Sequence, residues 1–304
     1  MAHSRRTFTA TAAGLAVAGA AQAQAQTQAK TLTEPPSGPW TEDGVIERPG
    51  MRIHYVGLGS GPPLILLHKL GVWVADWRHV APALAKTHRV IAIDMPGHGD
   101  STIAGPAPFL VSLAESAAVI VAALDELKIE TFDLVGCSLG GTCAVLIAAL
   151  WPERVKRLGL LSVALTAKNS REAIEKASNQ PEVWAADGTP LVRSFEDSTR
   201  MFGITDRAIH DEQNASRAKG GAWVRASQRG VAAAGVADYL PRITASTLLI
   251  YGDRGASYRN YDKIGREGLK RVRVVRITDT SAFTQQEKPR ETEAALLTFL
   301  AEST

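Results

Sequence analysis

The sequence predicts an α/β fold: a mostly parallel central sheet, helices on both of its faces, and a helical lid inserted after the sixth strand. Three observations carry that prediction. Short, continuously apolar runs recur along the chain, and runs without polar alternation suit strands covered on both faces. Between them lie segments whose apolar residues have helical spacing, as expected of helices packed on a parallel sheet. The rhythm then breaks for almost 80 residues, 164–241, which is longer than any common loop.

Taken in order, residues 1–25 read as a targeting segment. Arg5 and Arg6 precede an alanine-rich, weakly apolar run, and small residues follow at Ala21, Ala23 and Ala25. The Ser-Arg-Arg-Thr-Phe stretch resembles a twin-arginine export signal, which implies a periplasmic or secreted protein. Residues 26–40 form a proline-rich linker. The core is expected over 41–163 and 242–304. Its strands begin with two around Pro49-Gly50, and continue with Pro63 to Leu67, Val90 to Ile93, Leu134 with Val135, Leu158 to Leu161, Leu248 to Tyr251, and Val272 to Ile277. Ser112-Leu113-Ala114-Glu115 is a capping-box pattern opening a helix whose apolar residues step by three and four. A second helix follows Gly140, and a third begins near Pro289, a good first-turn proline. The lid, 164–241, is polar with scattered large residues, among them Trp184, Phe202 and Trp223.

Composition excludes several function classes. The formal charge is +3, and the leader carries two of the arginines. A nearly neutral balance gives no reason to expect nucleic acid or an anionic membrane as partner. No stretch reaches the ~20 apolar residues of a spanning helix. Cys137 and Cys143 flank a turn that opens a helix, too far apart in rise for an easy disulfide. No cluster of His, Cys and Asp has ligand spacing and no glycine-rich phosphate loop occurs, so neither metal nor cofactor is expected.

The chemistry concentrates at Gly136-Cys137-Ser138-Leu139-Gly140, a G-x-S-x-G between an apolar strand and a helix. In that context the glycines allow a sharp turn that lifts Ser138 above the sheet, and the Leu139 N–H can face an oxyanion. Two further segments, Leu67-His68-Lys69-Leu70-Gly71 and Asp94-Met95-Pro96-Gly97-His98-Gly99-Asp100-Ser101, complete a pattern that resembles the α/β-hydrolase superfamily over nearly all of the chain after the leader. Within it the look is that of lidded lactonases, esterases and carbon–carbon bond hydrolases. The resemblance implies Ser138 as nucleophile position, Leu139 and Leu70 as oxyanion-hole N–H groups, and residues 72–77 as pocket lining. It also implies that Asp94 to Ser101 is a structural turn, with His98 a loop histidine. Lys69 stands where the family has glycine.

The chain departs from the family at two catalytic positions. Gly255 occupies the expected acid position, with Asp253 two residues early as a candidate substitute or else a solvated loop aspartate. Ala282 occupies the histidine position, and the last histidine in the chain is His210, a candidate substitute base from the lid or else a surface residue. A serine hydroxyl without a base is a poor nucleophile. Losing the histidine of a serine triad costs on the order of a million-fold in turnover. Two functions therefore remain open: a weak ester or lactone hydrolase, or an inactive relative that binds a small apolar ligand under the lid. Trp73, Trp184 and Trp223 are the candidate binding residues for such an ester or lactone.

Overall fold

The computed structural model describes residues 38–254 and 260–302. The leader, most of the linker and Gly255 lie outside them. Among the described residues nine strands form one sheet: β1 Glu42–Arg48, β2 Met51–Leu58, β3 Pro63–Leu67, β4 Arg89–Ile93, β5 Thr102–Ile103, β6 Phe132–Cys137, β7 Val155–Leu161, β8 Ser246–Gly252 and β9 Val272–Ile277. Their order is β1-β2-β4-β3-β6-β7-β8-β9, with the two-residue β5 beside β2. The contacts from β4 through β9 are parallel, and those of β2 with β1, β4 and β5 are antiparallel.

Between β3 and β6 the direction of winding reverses, because β4 lies on one side of β3 and β6 on the other. In open parallel sheets, ligands bind outside the carboxyl ends of strands at such a reversal. The Lys69 and Ser138 segments leave the sheet at these two carboxyl ends.

The unbroken apolar runs have a direct explanation. Ile65 and Leu67 of β3 belong to one core layer, and Leu64 and Leu66 to the layer on the opposite face. In β8, Leu249 and Tyr251 face the first layer while Leu248 and Ile250 face the second. Both faces are covered, so the period-two alternation of a strand is invisible in hydropathy.

The helices are α1 Ala81–Leu84, α2 Leu113–Glu126, α3 Leu139–Leu150, α4 Arg171–Ser178, α5 Phe195–Phe202, α6 Arg207–Gly220, α7 Ala222–Ala234, α8 Tyr261–Gly268, α9 Thr284–Glu287 and α10 Pro289–Leu300. Helix α2 starts as its capping pattern predicts, with the Ser112 hydroxyl accepting from the Glu115 N–H at 3.3 Å. Every residue of α3 before Leu150 is buried, so this helix carries apolar residues all round rather than a stripe. Helices α4 to α7 fill the stretch between β7 and β8 that broke the sequence rhythm. The observed β6 runs beyond Leu134 and Val135 at both ends. The buried Asp133 masked its start by sequence; Arg157 donates to that carboxylate at 3.4 Å.

Candidate active site

Ser138 is the residue between β6 and α3, with φ 47° and ψ −109°. A positive φ in a non-glycine residue is strained backbone, of order 1–3 kcal/mol, held only where the surroundings over-determine it. Three hydrogen bonds do so here. The Ser138 N–H donates to Leu161 O at 2.9 Å, Thr142 N–H donates to Ser138 O at 2.8 Å, and Gly140 N–H donates to His68 O at 3.0 Å. The last bond pins the elbow to the end of β3. A Cβ on Gly140 would lie 2.2 Å from Leu67 O, so only glycine permits this approach.

His68 orders the neighbouring turn. Its Nε2 accepts from the Met95 N–H at 2.9 Å, which fixes the proton on Nδ1, and Nδ1–H donates to Lys69 O at 2.7 Å. Burial lowers its pKa and keeps the ring neutral. The Asp94 to Ser101 segment is a scaffold. Asp94 accepts from Val74 N–H and Asp100 N–H at 2.8 Å each, and its Oδ2 lies 2.7 Å from His54 Nδ1. Burial holds His98 far below the usual imidazole range, at about 3.

Lys69 was not singled out by sequence as a site residue, yet its side chain is buried and lines the cavity at Ser138. Its Nζ ion-pairs with Asp76, donates to Gln286 Oε1 at 3.0 Å, and lies 4.5 Å from the centre of the Phe283 ring. Gln285 Nε2 completes the cluster with bonds to Asp76 at 3.0 Å and to Cys137 Sγ at 3.4 Å. The signal available by sequence was the lysine itself, standing where a glycine is usual.

The sequence leads us to expect the base at the position of Ala282 and the acid at that of Gly255, which lies outside the described residues. Ala282 is buried against Ile204 and Phe283, its N–H donating to Phe202 O at 3.1 Å. Asp253 is exposed and its carboxylate accepts from Thr280 N–H at 3.4 Å, so it is engaged away from the cavity lining. His210 does not take the substitute position. It is buried in the helical insertion, with Nδ1 2.9 Å from Ser198 Oγ and Nε2 3.2 Å from Asn214 Nδ2, and it is absent from the lining. Both ring nitrogens being occupied, it has no lone pair to offer a serine.

The cavity that Ser138 reaches has a volume of about 90 Å³. Leu70 and Trp184 line it, with Lys69, Arg193 and Arg217 as its charged members and no carboxylate. Of the three tryptophans, Trp184 alone lines it. Trp73 packs in the core beneath the Lys219 ammonium, and Trp223 lines a separate groove with Met51 and Pro96. Residues 72–77 are buried, with a 3-10 turn at Val74–Trp77, and belong to the core rather than to the lining. Both cysteines are buried free thiols.

Known proteins are similar to this chain in sequence or in fold. A 2-hydroxymuconate semialdehyde hydrolase of Pseudomonas sp. (strain CF600) is 44% identical over 118 residues, 38% of this chain and 41% of that protein. A pimeloyl-[acyl-carrier protein] methyl ester esterase of Aeromonas hydrophila is 39% identical over 109 residues, 36% of this chain and 40% of that one. The chain thus matches less than half the length of these relatives. Among solved structures, the enol-lactonase of Burkholderia xenovorans LB400 superposes with a TM-score of 0.74 at 22% identity, covering 85% of this chain and all of that one. The model of the alpha/beta hydrolase fold matches residues 62–289, from the start of β3 to the start of α10. That span includes the Ser138 elbow and well over half the sequence, and the chain belongs to the alpha/beta hydrolase fold family.

Proposed function

We propose that the protein is a slow serine-type hydrolase of ester or lactone bonds, with Ser138 as the attacking group. The observation that carries this reading is the strained Ser138 backbone, held at φ 47° beside a cavity that its side chain reaches. Strain of that kind clusters at sites that use it. In this reading the Leu139 N–H, at the head of α3, and the Leu70 N–H, on a residue that lines the cavity, serve as donors to an oxyanion. The named activities of the enol-lactonase and the methyl ester esterase fit the same bond class.

No described histidine lines the cavity, so the proton of the Ser138 hydroxyl has no imidazole to receive it. An oxyanion hole and binding alone give roughly 10³–10⁴ over water, and turnover is expected at that level. The helical insertion acts as the lid, and residues 1–25 direct export by the twin-arginine route. Hydrolysis of short p-nitrophenyl esters and of γ-butyrolactone by the wild type and Ser138→Ala tests the chemistry. Slow turnover abolished by Ser138→Ala supports it. Turnover equal in the two proteins sinks it and leaves ligand binding without reaction. Loss of periplasmic accumulation in Arg5→Lys/Arg6→Lys checks the export route.

A further inference from the structure

We propose that the cavity at Ser138 takes an anion, a short ester or lactone carrying a free carboxylate, and that Arg193 and Arg217 hold it. The identity of the reacting bond rests on the hydrolase reading above; the anion site does not.

Arg217 is 6% exposed. Its Nη2 is buried and has no hydrogen-bond partner among the described residues, while Nη1 makes only a long bond to Leu191 O at 3.4 Å. A buried guanidinium without an acceptor is costly to keep. Burial and the nearby Arg193 charge pull Arg217 down to about 9, which leaves it cationic at neutral pH. Its stem has a packing role, since the guanidinium carbon lies 5.8 Å from the Trp184 ring centre. Packing does not satisfy Nη2.

Arg193 stacks 4.9 Å from the Phe202 ring centre and has no ion pair among the described residues. Asp197, the acid nearest to it in charge, is hydrogen-bonded to Arg200 and to the Ser194 hydroxyl at 2.8 Å. The third cation of the lining, Lys69, is already answered by Asp76. The cavity therefore holds two guanidinium groups with no ion pair among the described residues, beside a serine hydroxyl. Planar, forked donors of this type match a carboxylate.

The position of the arginines sets the shape of the ligand. Both also line an outer cleft of about 310 Å³, so they stand where the inner and outer spaces meet. The acids of that cleft, Glu182 and Asp197, do not line the inner cavity. A cavity of about 150 Å³ holds one benzene. The inner space of about 90 Å³ thus suits an acyl fragment of a few heavy atoms, with its carboxylate at the arginines.

The test is a titration of Ser138→Ala, followed by calorimetry, with monomethyl succinate and with dimethyl succinate at low salt. The monoanion is expected to bind at least ~10-fold tighter than the neutral diester, as charge-assisted hydrogen bonds commonly give. In Arg217→Gln, and separately in the more exposed Arg193→Gln, that preference should fall to within about 3-fold. Arg217→Lys, which keeps charge in the buried position, should retain part of it. Equal binding of the two esters, binding of neither, or an undiminished preference in folded Arg193→Gln overturns the proposal. A clear preference for the monoanion without Ser138-dependent turnover of it in the wild type would overturn the hydrolase reading alone.

Discussion

Arg254 Nη2 meets Glu287 Oε2 at 2.5 Å, and this ion pair ties the loop after β8 to the end of α9, the short helix that follows the Ala282 loop. These are the two segments that, by family resemblance, carry the acid and the histidine. Here they are joined by a salt bridge between different residues. The same Glu287 oxygen accepts from Ser281 N–H at 2.8 Å and Thr280 Oγ1 at 3.0 Å.

Glu287→Ala should therefore destabilise the fold. The carboxylate side is 6% exposed and the arginine 27% exposed. Breaking a buried pair costs 3–5 kcal/mol, and partial solvation of Arg254 reduces that to about 2–3 kcal/mol. The urea midpoint measures it. A change under about 0.5 kcal/mol would mean that the pair is solvated.

Restoring the histidine alone should fail. Ala282 is buried, at 2% exposed, against Ile204 and Phe283. Ala282→His overpacks that site, by about 1–3 kcal/mol. Even if it folds, Asp253 faces Thr280 N–H and Gly255 has no carboxylate to orient the imidazole. Removing the acid from a serine triad lowers kcat about 10⁴-fold. Ester turnover by Ala282→His should rise less than ~10-fold over the wild type, and a thousand-fold gain would show that the base was the sole missing part.

The fold was legible because its cues are local. The apolar runs, the Ser112 cap and the Gly-flanked Ser138 each sit within one element, and each took its expected place. The site was legible only in part, because its electrostatics depend on distant partners. Lys69 is buried through Asp76 and through Gln286, 217 residues away in sequence. His210 looked free to move as the single histidine of the insertion, but Ser198 and Asn214 take its ring nitrogens. The two arginines of the cavity carried no sequence signal, since surface arginines are the ordinary case.

The Lys69–Asp76 pair should behave as a unit. Both side chains are almost wholly buried, at 2% and 0% exposed. Lys69→Met strands the Asp76 carboxylate in a dry site, which should cost about 3–5 kcal/mol. Asp76→Asn strands the ammonium in the same way. The double variant should recover much of the loss, giving a coupling energy above about 1 kcal/mol in a double-mutant cycle by urea denaturation. Strictly additive losses would show that the two residues stabilise the turn independently.

Acid should weaken the protein through His98 well before its carboxylates titrate. Burial depresses the folded-state pKa of His98 to about 3 from an ordinary value of 6.5, and the His68 ring 5.7 Å away pushes in the same direction. Above pH 6.5 the ring is neutral folded or unfolded, so its full contribution to stability is present. As pH falls below 6.5 the unfolded chain takes up a proton that the folded one refuses. Stability is then lost at about 1.4 kcal/mol per pH unit, down to the folded value near 3. His68, lowered by its own burial, adds to the slope in the same window. His98→Gln removes one titrating group, and its urea midpoint should fall less steeply than that of the wild type between pH 6.5 and 4.5. Parallel pH profiles for the two proteins would place the acid sensitivity elsewhere.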